Sequence, residues 1–120
     1  MAGPENIQVK RVYDDATVSD GTRVLVDRLW PRGVSKDEAG FDSWNKEVAP
    51  SPELRMWYGH DPARFEDFAA RYRAELASAD DAIEGLLVEV SGDTLTLLTA
   101  TKDVDHSHAV VLADILRNRG

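Results

Sequence analysis

The feature that most constrains this chain is a short apolar run that passes directly into a charged loop. Val24, Leu25 and Val26 follow one another without an intervening polar residue, which predicts a strand covered on both faces. The next seven residues, DRLWPRG at 27–33, contain an acid, two bases and a tryptophan, and their proline and glycine end regular structure. A core strand does not need such a cluster, so we expect the 27–33 loop to take part in ligand binding.

Two other segments have strand patterns, and their place in a sheet stays open. Apolar and polar residues alternate from Ile7 to Tyr13, which is typical of a half-buried strand, and Thr94 to Thr101 predicts another strand. The first two strands fit a hairpin with a long loop and a parallel pair equally well. Residues 41–48 fit a short strand or an irregular crossover, and Ser35 with Glu38 has the spacing of a capping box.

Caps and helical spacing predict four helices. Ser51–Pro52 and Asp61–Pro62 each place a capping side chain before a proline, which is typical of a helix start. A third helix begins at Asp80 or Asp81, and a last one includes Val111 to Leu116. This order of elements predicts one α/β domain over residues 1–120, a small sheet that is at least partly parallel, with helices packed on it.

The net charge and the absence of cysteine limit the binding partners and the chemistry that are possible. A net charge of −8 argues against nucleic acid or an anionic membrane surface as a partner. The absence of cysteine excludes disulfides, thiolate catalysis and thiolate metal sites. No apolar run approaches the ~20 residues that cross a bilayer, and the first six residues lack the pattern of a signal peptide. We therefore expect a cytoplasmic protein, with its oligomeric state and any cofactor left open.

The charged residues after two strands predict a binding site. In open α/β sheets, ligands bind beyond the carboxyl ends of the strands. If the strands that precede residues 27–33 and 101–108 are parallel neighbours, Arg28, Arg32 and Lys102 surround an anion. The predicted ligand is a small molecule or nucleotide that carries phosphate or carboxylate.

Four other residues complete this hypothesis. Trp30 would stack on a flat part of the ligand, and His60 would line the pocket. Asp27 or His108 would move a proton if the protein is an enzyme, because histidine titrates near neutrality. The competing interpretation is purely structural: Arg28 forms an ion pair with Asp27, and Trp30 fills the core.

Two alternatives come from other classes of function. The first is a non-enzymatic interaction module, in which Arg28 and Arg32 bind an acidic partner protein. The second is a metal-dependent enzyme that uses the His and Asp residues of the segment 103–108. Their spacing matches no established metal motif, so we assign no residue as a metal ligand.

Several runs of residues resemble those of a known family. The run DRLWPRG at 27–33, APSPELR at 49–55, YRAEL at 72–76, the strand at 95–102 and HAVVL at 108–112 resemble the YeaO-like proteins. These are small bacterial and archaeal proteins grouped as domain of unknown function 488. The arginine–leucine–tryptophan–proline–arginine–glycine run is the most specific part of the match.

The resemblance covers about Val9 to Leu116 and has limited implications. It implies a compact α/β domain of cytoplasmic proteins without a settled activity, so it supplies no catalytic residues. Thr99 and Thr101 stand where the family pattern has a tyrosine and an alanine before the lysine, and we expect this difference to alter the pocket wall. The resemblance directs attention to the positions already singled out: Asp27, Arg28, Trp30, Arg32, Lys102 and His108.

Overall fold

In the described part of the chain, four strands form one sheet in which every pairing is parallel. The computed structural model describes residues 4–35, 37 and 40–119. The strands are β1 (Asn6–Arg11), β2 (Thr22–Leu25), β3 (Ser43–Trp44) and β4 (Thr94–Thr99), and their order in the sheet is β1-β4-β2-β3. The predicted α/β class and parallel sheet are therefore confirmed. The question left open for the first two strands is answered too, since β4 lies between them and is parallel to both.

Among the described residues, four α-helices pack on this sheet: α1 (Pro52–Tyr58), α2 (Phe65–Ala77), α3 (Asp80–Val88) and α4 (His108–Arg119). The side chain of Ser51 accepts from the Leu54 N–H, and Gly59 ends α1 in the left-handed conformation with φ 56°. The predicted helix starts at residues 51–52 and 80 are confirmed, and a 3₁₀ turn over Pro62–Arg64 precedes α2. None of the helices that the structure describes is long and apolar enough to cross a membrane.

The two faces of the sheet carry different environments. Val24 and Val26 point into the main core with the helices, whereas Leu25 packs with Val12 and Leu98 on the other face. All three residues of the 24–26 run are completely buried, as the uninterrupted apolar pattern predicts. The smaller apolar cluster around Leu25 extends to Phe41, which lies in the segment after the 27–33 loop.

An ion cluster occupies the polar part of this second region. The carboxylate of Asp20 accepts hydrogen bonds from Arg23 and from Lys10 Nζ at 3.1 Å, and both the backbone and the hydroxyl of Thr17 donate to it. Burial raises the pKa of Asp20, but these hydrogen bonds outweigh it and hold the pKa at about 2. The adjoining Gly21 has φ 62°, and a Cβ there would overlap the Thr94 carbonyl oxygen.

The sequence left two segments uncertain, residues 41–48 and the segment that begins at Ser35. Residues 41–48 contain both β3 and a 3₁₀ turn over Lys46–Val48, so the short strand and the irregular crossover are both present. The capping box predicted for Ser35 and Glu38 depends on Glu38, which lies outside the described residues.

Candidate functional site

A cavity of about 410 Å³ lies at the carboxyl ends of three parallel strands. Tyr13 follows β1, residues 27–32 follow β2, and residues 100–101 follow β4, so each strand contributes to its wall. Helices α1, α2 and α4 close the remaining sides. The wall is made by Tyr13, Asp27, Arg28, Leu29, Trp30, Pro31, Arg32, Ala49, Pro50, Arg55, Tyr58, His60, Phe68, Ala100, Thr101, Ser107 and His108.

The loop after β2 is held in place by hydrogen bonds at several points. The Ala100 N–H donates to Asp27 Oδ2 at 2.8 Å, and Trp44 Nε1 donates to the Asp27 carbonyl at 2.7 Å. Tyr13 donates its hydroxyl to the carbonyl of Arg32 at 2.8 Å. These contacts join the ends of β1, β2 and β4, so the loop presents its side chains on a fixed frame.

Asp27 and His108 meet at the base of the cavity, although 81 positions separate them. His108 Nε2 lies 3.0 Å from the carbonyl oxygen of Val26 and 3.4 Å from Asp27 Oδ1. Because a carbonyl oxygen only accepts, we assign the proton of the neutral ring to Nε2. Asp27 Oδ1 is buried and has no hydrogen bond within the described part of the chain, so its contact with the His108 ring is its ion-pair contact.

Burial lowers the pKa of His108 below its ordinary value, and the charges of His60 and Arg55 lower it further. The Asp27 carboxylate and the hydrogen bond to Val26 raise it, but they do not outweigh the burial. The imidazole is therefore neutral at pH 7, and its side chain is only 12% exposed. The ring also meets the edge of Tyr72 at a centroid distance of 5.9 Å.

Three arginines line the same cavity without a counter-charge. Arg28 donates through Nε and Nη2 to the carbonyls of Pro50 and Ala49, at 3.3 and 3.4 Å. Arg32 and Arg55 are exposed at the wall. No carboxylate in the described part of the chain lies in ion-pair contact with any of the three. Guanidinium groups remain available to an anion that enters.

Comparison with known proteins places this chain in a family. A family model described as "Inactive DUF488-N3 subclade" matches residues 6–119. The uncharacterised protein Rv3073c of Mycobacterium tuberculosis is 48% identical over 120 residues, which is 99% of this chain and all of that protein. The uncharacterised protein YeaO of Escherichia coli is 46% identical over 113 residues, which is 94% of this chain and 98% of YeaO.

This chain belongs to the YeaO-like DUF488 family. The resemblance that the sequence carried is thereby confirmed. No solved structure matches the chain. Because the relatives named here are themselves uncharacterised, the family assigns no activity to the cavity of this DUF488 domain.

The structure brings most of the predicted site residues of this DUF488 domain together. The cavity wall includes six of them: Asp27, Arg28, Trp30, Arg32, His60 and His108. Lys102 is exposed and does not line the cavity. It follows β4 as predicted, but the wall after this strand is formed by Ala100 and Thr101 instead.

The competing structural interpretation places Arg28 in an ion pair with Asp27 and Trp30 in the core. Arg28 does not pair with Asp27, whose carboxylate contacts Ala100 and His108 instead. Trp30 is half-buried rather than part of the core, and its Nε1 donates to the Val34 carbonyl at 2.6 Å. Its ring lies 5.4 Å from both Phe41 and Trp44, so packing accounts for much of its surface.

The segment proposed for metal chemistry has its own contacts. His106 Nδ1 lies 2.8 Å from Asp103 Oδ2, while Nε2 of His108 faces Val26 and Asp27. Within the described residues, no group of three or more histidine, aspartate or glutamate side chains is arranged to hold a metal ion.

Sequence reasoning missed several residues of the wall. The sequence leaves open whether Arg55 of α1 is solvated or lines a pocket, and the structure places it in the cavity wall. Tyr13 was not considered, yet it follows β1 and the strand-end rule applies to it as much as to Asp27. Phe68 lies on the apolar stripe of α2, whose helical spacing indicates only core packing, yet it lines the cavity and stacks on Tyr58 at a centroid distance of 4.2 Å.

Proposed function

We propose that this protein binds a small anionic molecule of the cytoplasm in the cavity at the strand ends. The ligand would carry phosphate or carboxylate on a larger body, as a nucleotide or a sugar phosphate does. The observation that carries the proposal is the convergence of Arg28, Arg32 and Arg55 on one hollow of a chain with net charge −8, none of the three in an ion pair with a described carboxylate.

Charge supports an anion rather than a neutral ligand. An acidic protein gains little from leaving three guanidinium groups at one place without a carboxylate partner among its described residues, since many carboxylates are available elsewhere on its surface. A guanidinium offers donors in a planar fork that matches two oxygens of a phosphate or carboxylate. The two long bonds from Arg28 to backbone carbonyls orient its side chain and leave other N–H groups for a ligand.

Size and wall chemistry support a ligand larger than a free anion. A volume of about 410 Å³ lies within the ~300–1,000 Å³ usual for small-molecule sites. Apolar side chains such as Leu29, Pro31 and Phe68 alternate with the charged ones in the wall. His60 has φ 58°, a backbone conformation that costs free energy in residues other than glycine and that occurs often at binding sites.

An acid–base enzyme is the second candidate. It is favoured by the contact of Asp27 with His108, because a carboxylate behind an imidazole orients the ring and stabilises its charged form. The matching family model carries the word "inactive" in its description, and binding without turnover agrees with that word. We therefore place ligand binding first and proton transfer by Asp27 and His108 second.

Thermal unfolding against a panel of nucleotides, sugar phosphates and small carboxylates tests the proposal. A ligand at 100 times its Kd should stabilise the protein by about 2.7 kcal/mol, a rise in Tm of several degrees. The same ligand should give a smaller rise with Arg28→Ala, Arg32→Ala or Arg55→Ala. Arg73→Ala is the matched control, because Arg73 pairs with Asp114 on the surface and does not line the cavity.

Two results would count against binding in this cavity. One is a panel without any ligand that shifts the wild-type Tm. The other is a ligand whose shift is the same in the three cavity variants as in Arg73→Ala. If a ligand binds and is also converted in a manner that His108→Gln abolishes, the second candidate replaces the first.

A further inference from the structure

The orientation of His108 leaves one ring nitrogen for a ligand. Nε2 is used by the carbonyl of Val26, at 3.0 Å. No hydrogen bond of the described residues uses Nδ1, and Nδ1 is not among the fully buried polar atoms that lack a partner. Since the ring lines the cavity, Nδ1 is the atom that an entering molecule can reach.

The groups around His108 favour a positive ring once an anion is present. Asp27 lies behind the ring and is anchored by the Ala100 N–H, so it can balance a positive charge without moving. Arg55 and His60 disfavour that charge in the empty cavity, and the neutral Tyr72 meets the ring edge-on. An anion held by the arginines would offset their charge and add its own attraction.

We propose that His108 is a ligand-contact residue that takes up one proton as the anion binds. This inference rests on the proposed function. A proton from the buffer bonds to Nδ1, and the resulting imidazolium donates that N–H to an oxygen of the anion. Nε2–H stays with Val26 and Asp27. The cavity therefore takes up a proton together with the anion, and this proton offsets one negative charge of the anion.

Proton uptake and anion binding are thermodynamically linked, so the inference can be tested by measuring Kd as a function of pH. A group that binds a proton more tightly in the complex must make the ligand bind more tightly at low pH. Between the titration midpoints of the free and the bound protein, Kd should increase about tenfold for each pH unit. Arginines alone give no such slope, because they stay protonated throughout this range.

Sulfate is a suitable probe, because it is a tetrahedral dianion that does not itself titrate near neutral pH. The ring signals of the histidines are followed by NMR as a function of pH, without sulfate and with saturating sulfate. We expect the midpoint of His108 to rise by about one pH unit or more when sulfate is bound, which corresponds to about a tenfold change in affinity. His108→Gln retains an amide N–H for Val26 and should bind sulfate with a flat pH dependence.

His106→Gln is the matched control, because His106 pairs with Asp103 and does not line the cavity. It should keep the wild-type slope. The inference is overturned if sulfate binds and Arg28→Met abolishes that binding, yet the His108 midpoint does not move. It is also overturned if His60→Gln rather than His108→Gln removes the slope. If sulfate does not bind in the cavity at any pH, the proposed binding of oxyanions is overturned together with this inference.

Discussion

Two groups of arginines and carboxylates in the described part of the molecule are organised in opposite ways. In the ion cluster of Lys10, Asp20 and Arg23, the charges are paired, and Asp20 and Arg23 are buried while Lys10 is partly exposed. Arg23 also donates to the carbonyls of Gly40 and Asp14, at 2.9 and 3.2 Å. In the cavity, three arginines have no carboxylate partner among the described residues, and the one aspartate contacts a histidine instead.

The difference teaches where to look for function in such a sheet. Arg23 lies within β2, where the backbone is committed to the sheet and each polar group needs a partner from the protein itself. Arg28 and Arg32 follow the end of that strand, where the chain turns away and the partner can be a ligand. Residues of the same type, only five and nine positions apart, therefore belong to a buried ion cluster and to the wall of the cavity that we propose as a binding site.

The largest effect is expected from Asp20→Asn. The variant leaves the buried Arg23 without its counter-charge, and an asparagine amide would direct N–H groups toward other donors. Removing one partner of a buried ion pair costs about 3–5 kcal/mol in the free energy of unfolding. Urea denaturation of the wild type and the variant measures it.

Asp114→Asn is the control for that experiment, because the Arg73–Asp114 pair is half-exposed and of the same kind. An exposed pair contributes about 0–1 kcal/mol. Equal losses in the two variants would show that burial does not distinguish the ion cluster from the surface.

The next largest expected effect is a loss of folding stability at acidic pH. The pKa of Asp20 is about 2 in the folded protein and 3.8 as an ordinary value. Because the folded pKa is the lower one, this carboxylate stabilises the fold above pH 3.8, and its contribution is lost as the pH falls toward 2. We expect a loss of about 2 kcal/mol from this group.

The measurement is the unfolding free energy of the wild type and Asp20→Asn across that pH range. The difference between them should shrink as the pH falls, since a protonated Asp20 no longer provides the charge that the variant lacks. A constant difference would mean that Asp20 does not titrate in this range.

The smallest effect on stability, with the largest effect on binding, is expected from Arg28→Met. Its two bonds to carbonyls are long, so we expect a loss of about 1 kcal/mol or less in the free energy of unfolding. Arg23→Met should cost several times more, because it leaves Asp20 buried beside fewer donors. A denaturation experiment in which the two variants lose equal stability would remove the contrast between the two regions.

Sequence reasoning predicted the location of the cavity because its two premises were local. An uninterrupted apolar run indicates a parallel strand, and parallel strands place their following loops at one edge. The pairing of β2 with β4 makes neighbours of Asp27 and Ala100. The same reasoning did not anticipate that Lys102, two residues beyond Ala100, lies outside the cavity wall, because side-chain direction in a loop follows no sequence period.

The amino-acid sequence by itself determined three of the four strands, the helices, the caps at Ser51 and Asp61, and the charged residues that follow β2. These depend on periodicity and on backbone preferences over a few residues. Only the tertiary structure decided that β4 lies between β1 and β2, that Arg55 joins the wall and that Asp27 meets His108. Such contacts depend on how distant elements bury their apolar faces together, which no local pattern of residues specifies.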